Sequence, residues 1–195
     1  MSNTLALEDK LDWTGLCIEA NERDLWGLAH RKCRIVWATV WSETNAKITF
    51  QDGDGVGGVV SEETDIKPSE DSGSSSGGVQ QVTRTTVTLQ DILRMFSAPK
   101  VIEYLSLDIE GAEHIVLENF PFDEYTFLSL SVERPKDSLV AQLKENGYVY
   151  LKDHGPHGDQ FYIHSSLPSA DKILKKYSVT GGGGDGGSGA AKDET

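Results

Sequence analysis

Tyr104-Leu105-Ser106-Leu107-Asp108-Ile109-Glu110-Gly111-Ala112-Glu113 reads as an apolar strand that passes directly into two carboxylates, a glycine and the start of a helix. A buried carboxylate without a partner is costly or titrates away, so acids at the end of such a strand imply a use for them. In open α/β sheets, ligands bind outside the carboxyl ends of the strands. Asp108 and Glu110 stand two residues apart and point the same way in extended geometry, and Gly111 permits a turn without a Cβ clash. Glu113 opens the next helix, where the dipole favours a carboxylate.

The pattern extends in both directions. Upstream, Val82 to Leu89 is extended, and Leu89, Ile92, Leu93 and Phe96 sit at helical spacing in a helix from Thr88 that Pro99 stops. Earlier still, a helix over Thr4 to Leu11 precedes a short strand, Gly15 to Glu19, that also ends in an acid. A second helix over Glu22 to His30, with Asn21 as its cap, leads into β-branched and aromatic strand residues from Arg34 to Trp41, and Lys47 to Phe50 adds another short strand. Downstream, Ala112, Ile115, Val116 and Phe120 form one helix face, and Tyr125 to Glu133 is a strand ending in Glu133. An amphipathic helix then runs from Lys136 to Asn146, closed by Gly147. Tyr148 to Lys152 and Gln160 to His164 flank turn residues and predict a hairpin. Strands alternating with helices predict an α/β fold with a mostly parallel sheet and a C-terminal antiparallel hairpin.

Length and composition fit one globular domain: 195 residues, 37% hydrophobic and 25% charged. We expect a domain over 1–168, with a flexible acidic Gly- and Ser-rich insertion at about 51–80, and an extension over 169–195 ending in a disordered Gly-rich tail. The net charge of −13 is concentrated there, because Gln51 to Ser72 carries about half of the excess. A nucleic-acid partner would need a basic face, so none is expected. No apolar run approaches the roughly 20 residues of a membrane span, and the first residues lack the basic and apolar regions of a signal peptide. Cys17 and Cys33 read as buried reduced thiols, which implies a reducing, cytoplasmic compartment.

The chain resembles the FkbM-type S-adenosylmethionine-dependent methyltransferases. The likeness rests on Tyr-Leu-Ser-Leu-Asp-Ile-Glu-Gly-Ala-Glu at 104–113, on the strand ending Ser-Val-Glu-Arg at 131–134, on Ser-Asn-Thr-Leu-Ala-Leu-Glu at 2–8, and on Gly-Leu-Cys-Ile-Glu-Ala-Asn at 15–21. It implies a Rossmann-like class I methyltransferase fold and methyl transfer to a hydroxyl of a small molecule or glycan, with S-adenosylmethionine as cofactor. It also implies that Glu19 accepts hydrogen bonds from the ribose hydroxyls, with Asn3, Asn21, Val40, Trp41 and Asp108 on the cofactor side. Asp108, Glu110 and His154 are then the candidates for the base, and Glu133 closes the acceptor site. His154 and His157 in the hairpin are read as turn residues, with no metal expected.

The family's glycine-rich loop, which precedes the Ser-Asn-Thr-Leu segment, has no counterpart in this sequence, and its first strand is expected to be missing. That strand lies mid-sheet, so its loss predicts two half-sheets with open edges facing a gap. A second reading follows: a truncated, non-catalytic binding module whose acidic insertion contacts basic partners.

Overall fold

The computed structural model describes residues 3–53, 57–68, 80–154 and 158–180, the side chains of 154 and 178–180 excepted. The 181–195 tail, most of the Ser-rich part of the insertion, and His157 lie outside the described residues.

Elements alternate as expected at both ends of the chain: α1 (Leu5–Leu11), β1 (Leu16–Glu19), α2 (Leu25–Leu28), β2 (Arg34–Trp37), β3 (Thr39–Val40), β4 (Lys47–Asp52), β5 (Gly58–Val59) and β6 (Gln80–Val87). There follow α3 (Leu89–Met95), β7 (Val101–Leu107), α4 (Glu113–Leu117), β8 (Thr126–Val132), α5 (Asp137–Glu145), β9 (Tyr148–His154), β10 (Asp159–His164) and α6 (Ala170–Thr180). Thr88 caps α3 by accepting a hydrogen bond from the Asp91 N–H at 3.1 Å. The helix expected over Glu22 to His30 contracts to the single turn of α2, in which Gly27 is a poor helix former and no residue is buried.

The expectation of one mostly parallel sheet is corrected, because the strands form three sheets. β1 and β2 pair in parallel by themselves, and β7-β8-β10-β9 is mixed, with β7 parallel to β8 and the closing hairpin antiparallel to it. The third sheet, β3-β6-β4-β5, arises because the run from Arg34 to Trp41 breaks at Ala38, so that β3 leaves β2 and joins β6. β4 and β6 pair antiparallel on either side of the insertion, which therefore returns the chain to its starting point. Part of the insertion is itself ordered: β5 pairs with β4, and Val60 bridges Ile66.

The core lies between the β7–β8 sheet and α3, α4 and α5, with Leu117, Leu130, Val132 and Leu143 fully buried. Each such side chain contributes roughly 1.5–3 kcal/mol of burial. Period-two alternation places Leu105 and Leu107 on that face and Tyr104, Ser106 and Asp108 on the other.

The cysteines correct a second expectation. Cys17 and Cys33 form a disulfide, their Cα atoms 5.7 Å apart. The parallel register sets Cys17 opposite Ile35, so Cys33, two residues earlier, reaches back across the pair. Free thiols were the ground for a reducing compartment, and that ground is removed. No described helix is long and apolar enough to cross a membrane.

Candidate functional site

The turn after β7 is held from three sides. Glu113 Oε1 accepts hydrogen bonds from the Ile109 N–H at 2.9 Å and the Gly111 N–H at 3.4 Å. Glu110 and Gly111 both take positive φ, 57° and 86°, and the Glu110 carbonyl accepts from the Asp65 N–H at 2.9 Å. A Cβ on Gly111 would stand 2.6 Å from Asp65 Oδ1 and 2.8 Å from the Asp65 nitrogen, so glycine is required both by conformation and by space. Burial pushes the Glu113 carboxyl up to about 7.

Parallel pairing of β7 and β8 in the register Leu107↔Val132 brings their ends side by side, and the Glu133 N–H donates to the Leu107 carbonyl at 3.0 Å. Asp108, Glu110 and Glu133 thus present carboxylate oxygens all within 4.8 Å of one another. Glu133 Oε1 meets Arg134 at 2.9 Å, while its Oε2 is buried without a hydrogen-bond partner among the described residues. Burial, and then Asp108, raises the Glu133 pKa, and burial followed by Glu133 raises that of Glu110. The positive charge facing this cluster is Arg134, which also reaches Asp65 at 2.8 Å and Glu110 at 3.7 Å. The sulfurs of the other close acidic group, Glu8 with Cys17 and Cys33, are consumed in the disulfide.

Glu19 ends β1 on the same side. Its Oε1 accepts from the Asn21 N–H at 2.7 Å, and its pKa is raised by burial and, more weakly, by Asp24 and Asp108. The acids ending β1 and β7 therefore sense each other across two separate sheets. Asn21 is buried, and its amide donates to Asp24 Oδ2 at 2.7 Å and the Gly53 carbonyl at 2.9 Å, which makes it a brace between β1 and the insertion. Asn3 donates to Ser106 Oγ at 3.1 Å and begins a hydroxyl chain through Ser131 to Tyr104. Val40 pairs with Val87 in the third sheet, away from this cluster in sequence register. His154 ends β9, and its side chain lies outside the described residues.

Between β1 and β7 runs an apolar groove of about 560 Å³, walled by Leu16 and Ile18 on one side and Ile102 and Leu105 on the other. Among the described residues β1 pairs only with β2, and β7 only with β8, so the two strand edges facing this groove are open. A second cleft, of about 570 Å³, lies beyond the 61–66 turn and takes Trp41 together with residues of α4 and α5. His114 lines it: its Nε2 is 3.3 Å from Lys136 Nζ, its Nδ1 is buried without a partner, and burial and then Lys136 lower its pKa. Arg134 stood in the Ser-Val-Glu-Arg motif with no role assigned, and Asp65 and His114 had none either, because their roles depend on where the insertion folds back.

The family model described as Methyltransferase FkbM domain matches residues 1–174. No curated protein matches the chain, and no solved structure does.

Proposed function

The chain belongs to the Methyltransferase FkbM domain family, and on that premise we propose that it is an S-adenosylmethionine-dependent enzyme that methylates a hydroxyl of a small molecule or glycan. The observation that supports this most is the convergence of Glu19, Asp108, Glu110 and Glu133 from the ends of three strands. S-adenosylmethionine, when bound, supplies a methyl group on a sulfonium cation. The donor set suits it: Glu19 has a half-buried carboxylate at a strand end with capacity for hydroxyl donors, and a carboxylate-rich edge favours a cation.

The chain's own groups supply orientation and proton uptake. Glu113 fixes the turn, so Asp108 and Glu110 are presented rigidly, which is the condition for an in-line approach. An alcohol must lose its proton as it reacts, and a carboxylate accepts that proton more readily when its pKa is raised toward the working pH. Glu110 and Glu133 are raised in this way, and Asp108 acts on both Glu133 and Glu19.

Calorimetric titration of the full chain with S-adenosylmethionine tests the reading. Binding is expected, weakened about ten- to hundredfold by Glu19→Ala through loss of charge-assisted hydrogen bonds. Absence of binding to demonstrably folded protein overturns it. The groove between the open edges of β1 and β7 favours the second reading, a non-catalytic binding module, and that same absence would support it.

A further inference from the structure

The 61–66 turn borders both this cleft and the acid cluster. Asp65 faces the cluster through Arg134 and Glu110, while Ser61 and Glu63 of the same turn face the cleft. His114 belongs to the first turn of α4, adjacent to the Glu113 that fixes Asp108 and Glu110. A ligand seated in the cleft therefore rests on the same two elements, the 61–66 turn and the start of α4, that hold the acid cluster. Its volume, about 570 Å³, falls within the range of small-ligand sites.

The lining chemistry selects the ligand. Among the described residues no lysine or arginine lines the cleft, the ammonium of Lys136, 3.3 Å from His114 Nε2, being held on the Glu63 carbonyl, and Glu63 and Glu118 make the lining acceptor-rich, which favours hydroxyl donors over phosphates, nucleotides and carboxylates. Gln142 donates its amide protons to the Leu117 and Glu118 carbonyls at 2.7 and 3.1 Å, so what it offers the cleft is its carbonyl oxygen. Such a site calls for a neutral ligand rich in hydroxyl donors. Trp41, Ile115 and Leu139 add an aromatic face and an apolar floor, and the electron-rich face of an indole attracts C–H groups of slight positive character. Hydroxyls around the rim with a C–H face across the ring describe a pyranose.

We propose that this cleft binds a carbohydrate unit, and that it seats the glycan whose hydroxyl is methylated. Only the second clause rests on the methyl-transfer reading. The proposal moves Trp41 from the adenine side to the acceptor side.

The test is NMR titration of the full chain, without cofactor, by methyl glycosides of glucose, galactose, mannose and rhamnose, with adenosine as a competitor class. At least one glycoside should saturably shift the Trp41 indole and His114 resonances. Trp41→Ala should weaken that binding about tenfold or more, as for a central aromatic contact. Glu118→Lys, at an exposed position, should do the same by replacing an acceptor with a donor. Trp26→Ala, at an exposed tryptophan outside the cleft, should leave it unchanged. The proposal is overturned if no glycoside shifts these resonances, if adenosine shifts them instead, or if neither cleft substitution weakens binding. S-adenosylmethionine calorimetry on the same preparations separates the two failures: a chain that binds the cofactor but no glycoside refutes this inference alone.

Discussion

Glu113 reaches back from the first turn of α4 to the Ile109 N–H at 2.9 Å, so the residue that starts the helix also sets the turn carrying Asp108 and Glu110. Its pKa of about 7 lies above the value of an unfolded glutamate, which means the folded state binds the proton more tightly. The resulting stability is fully present below about pH 4.5 and is lost as pH rises through about 7, to the extent of roughly 3 kcal/mol. Glu113→Gln keeps an acceptor for Ile109 and removes the ionisation. Thermal unfolding should show the Gln variant gaining on the parent between pH 5 and pH 8, whereas Glu113→Ala should be less stable at both. Parallel pH profiles for the Gln variant and the parent would refute this account.

Gly111→Ala should be among the most damaging small substitutions in the chain. A Cβ there is forced both into positive φ and against the Asp65 backbone, so a cost of about 1–3 kcal/mol is expected from strain. Because the clash moves the 61–66 turn, the loss should also appear as faster amide exchange at Asp65, measurable by hydrogen exchange. Unchanged exchange there would mean that the turn is held by other contacts.

The disulfide should matter more than its position suggests. β1 and β2 are four residues each and pair with no other strand, so the 16-residue link between Cys17 and Cys33 is a principal restraint on that unit. Reduction, or Cys17→Ser with Cys33→Ser, should lower stability by about 3 kcal/mol. Calorimetric melting with and without a dithiol reductant measures it, and an unchanged melting temperature sinks the claim.

Which parts of this were readable beforehand follows from range. The strand running into Asp108, the one ending at Glu19 and the capped helix from Thr88 are written in local periodicity; the first began three residues earlier than expected, at Val101, and the other two formed within a residue of their expected spans. The break at Ala38 was not, because a continuous β-branched run carries no mark of the partner that will divide it, and β6 lies over forty residues away. The Cys17–Cys33 pairing failed for the same reason: spacing is silent about which strands lie side by side. In the site, strand-end acids were visible as residue types, whereas Arg134 and Asp65 acquire meaning only when the insertion returns to the turn.

Burial and then Asp108 raise the Glu133 pKa, and Glu133 in turn adds to the rise that burial gives Glu110. Arg134 opposes that effect by favouring the charged form of Glu133. Arg134→Ala should therefore raise the pKa of Glu133 and of Glu110 further and move the acidic limb of any pH–rate profile to higher pH. Glu133→Gln removes the like charge and should move Glu110 the opposite way, toward lower pH. Carbon-13 NMR titration of the side-chain carboxyls reads both shifts without requiring turnover. Shifts of the same sign at Glu110 in the two variants would show that Glu133 and Arg134 do not act on it in opposite directions, and this account of the site would have to be given up.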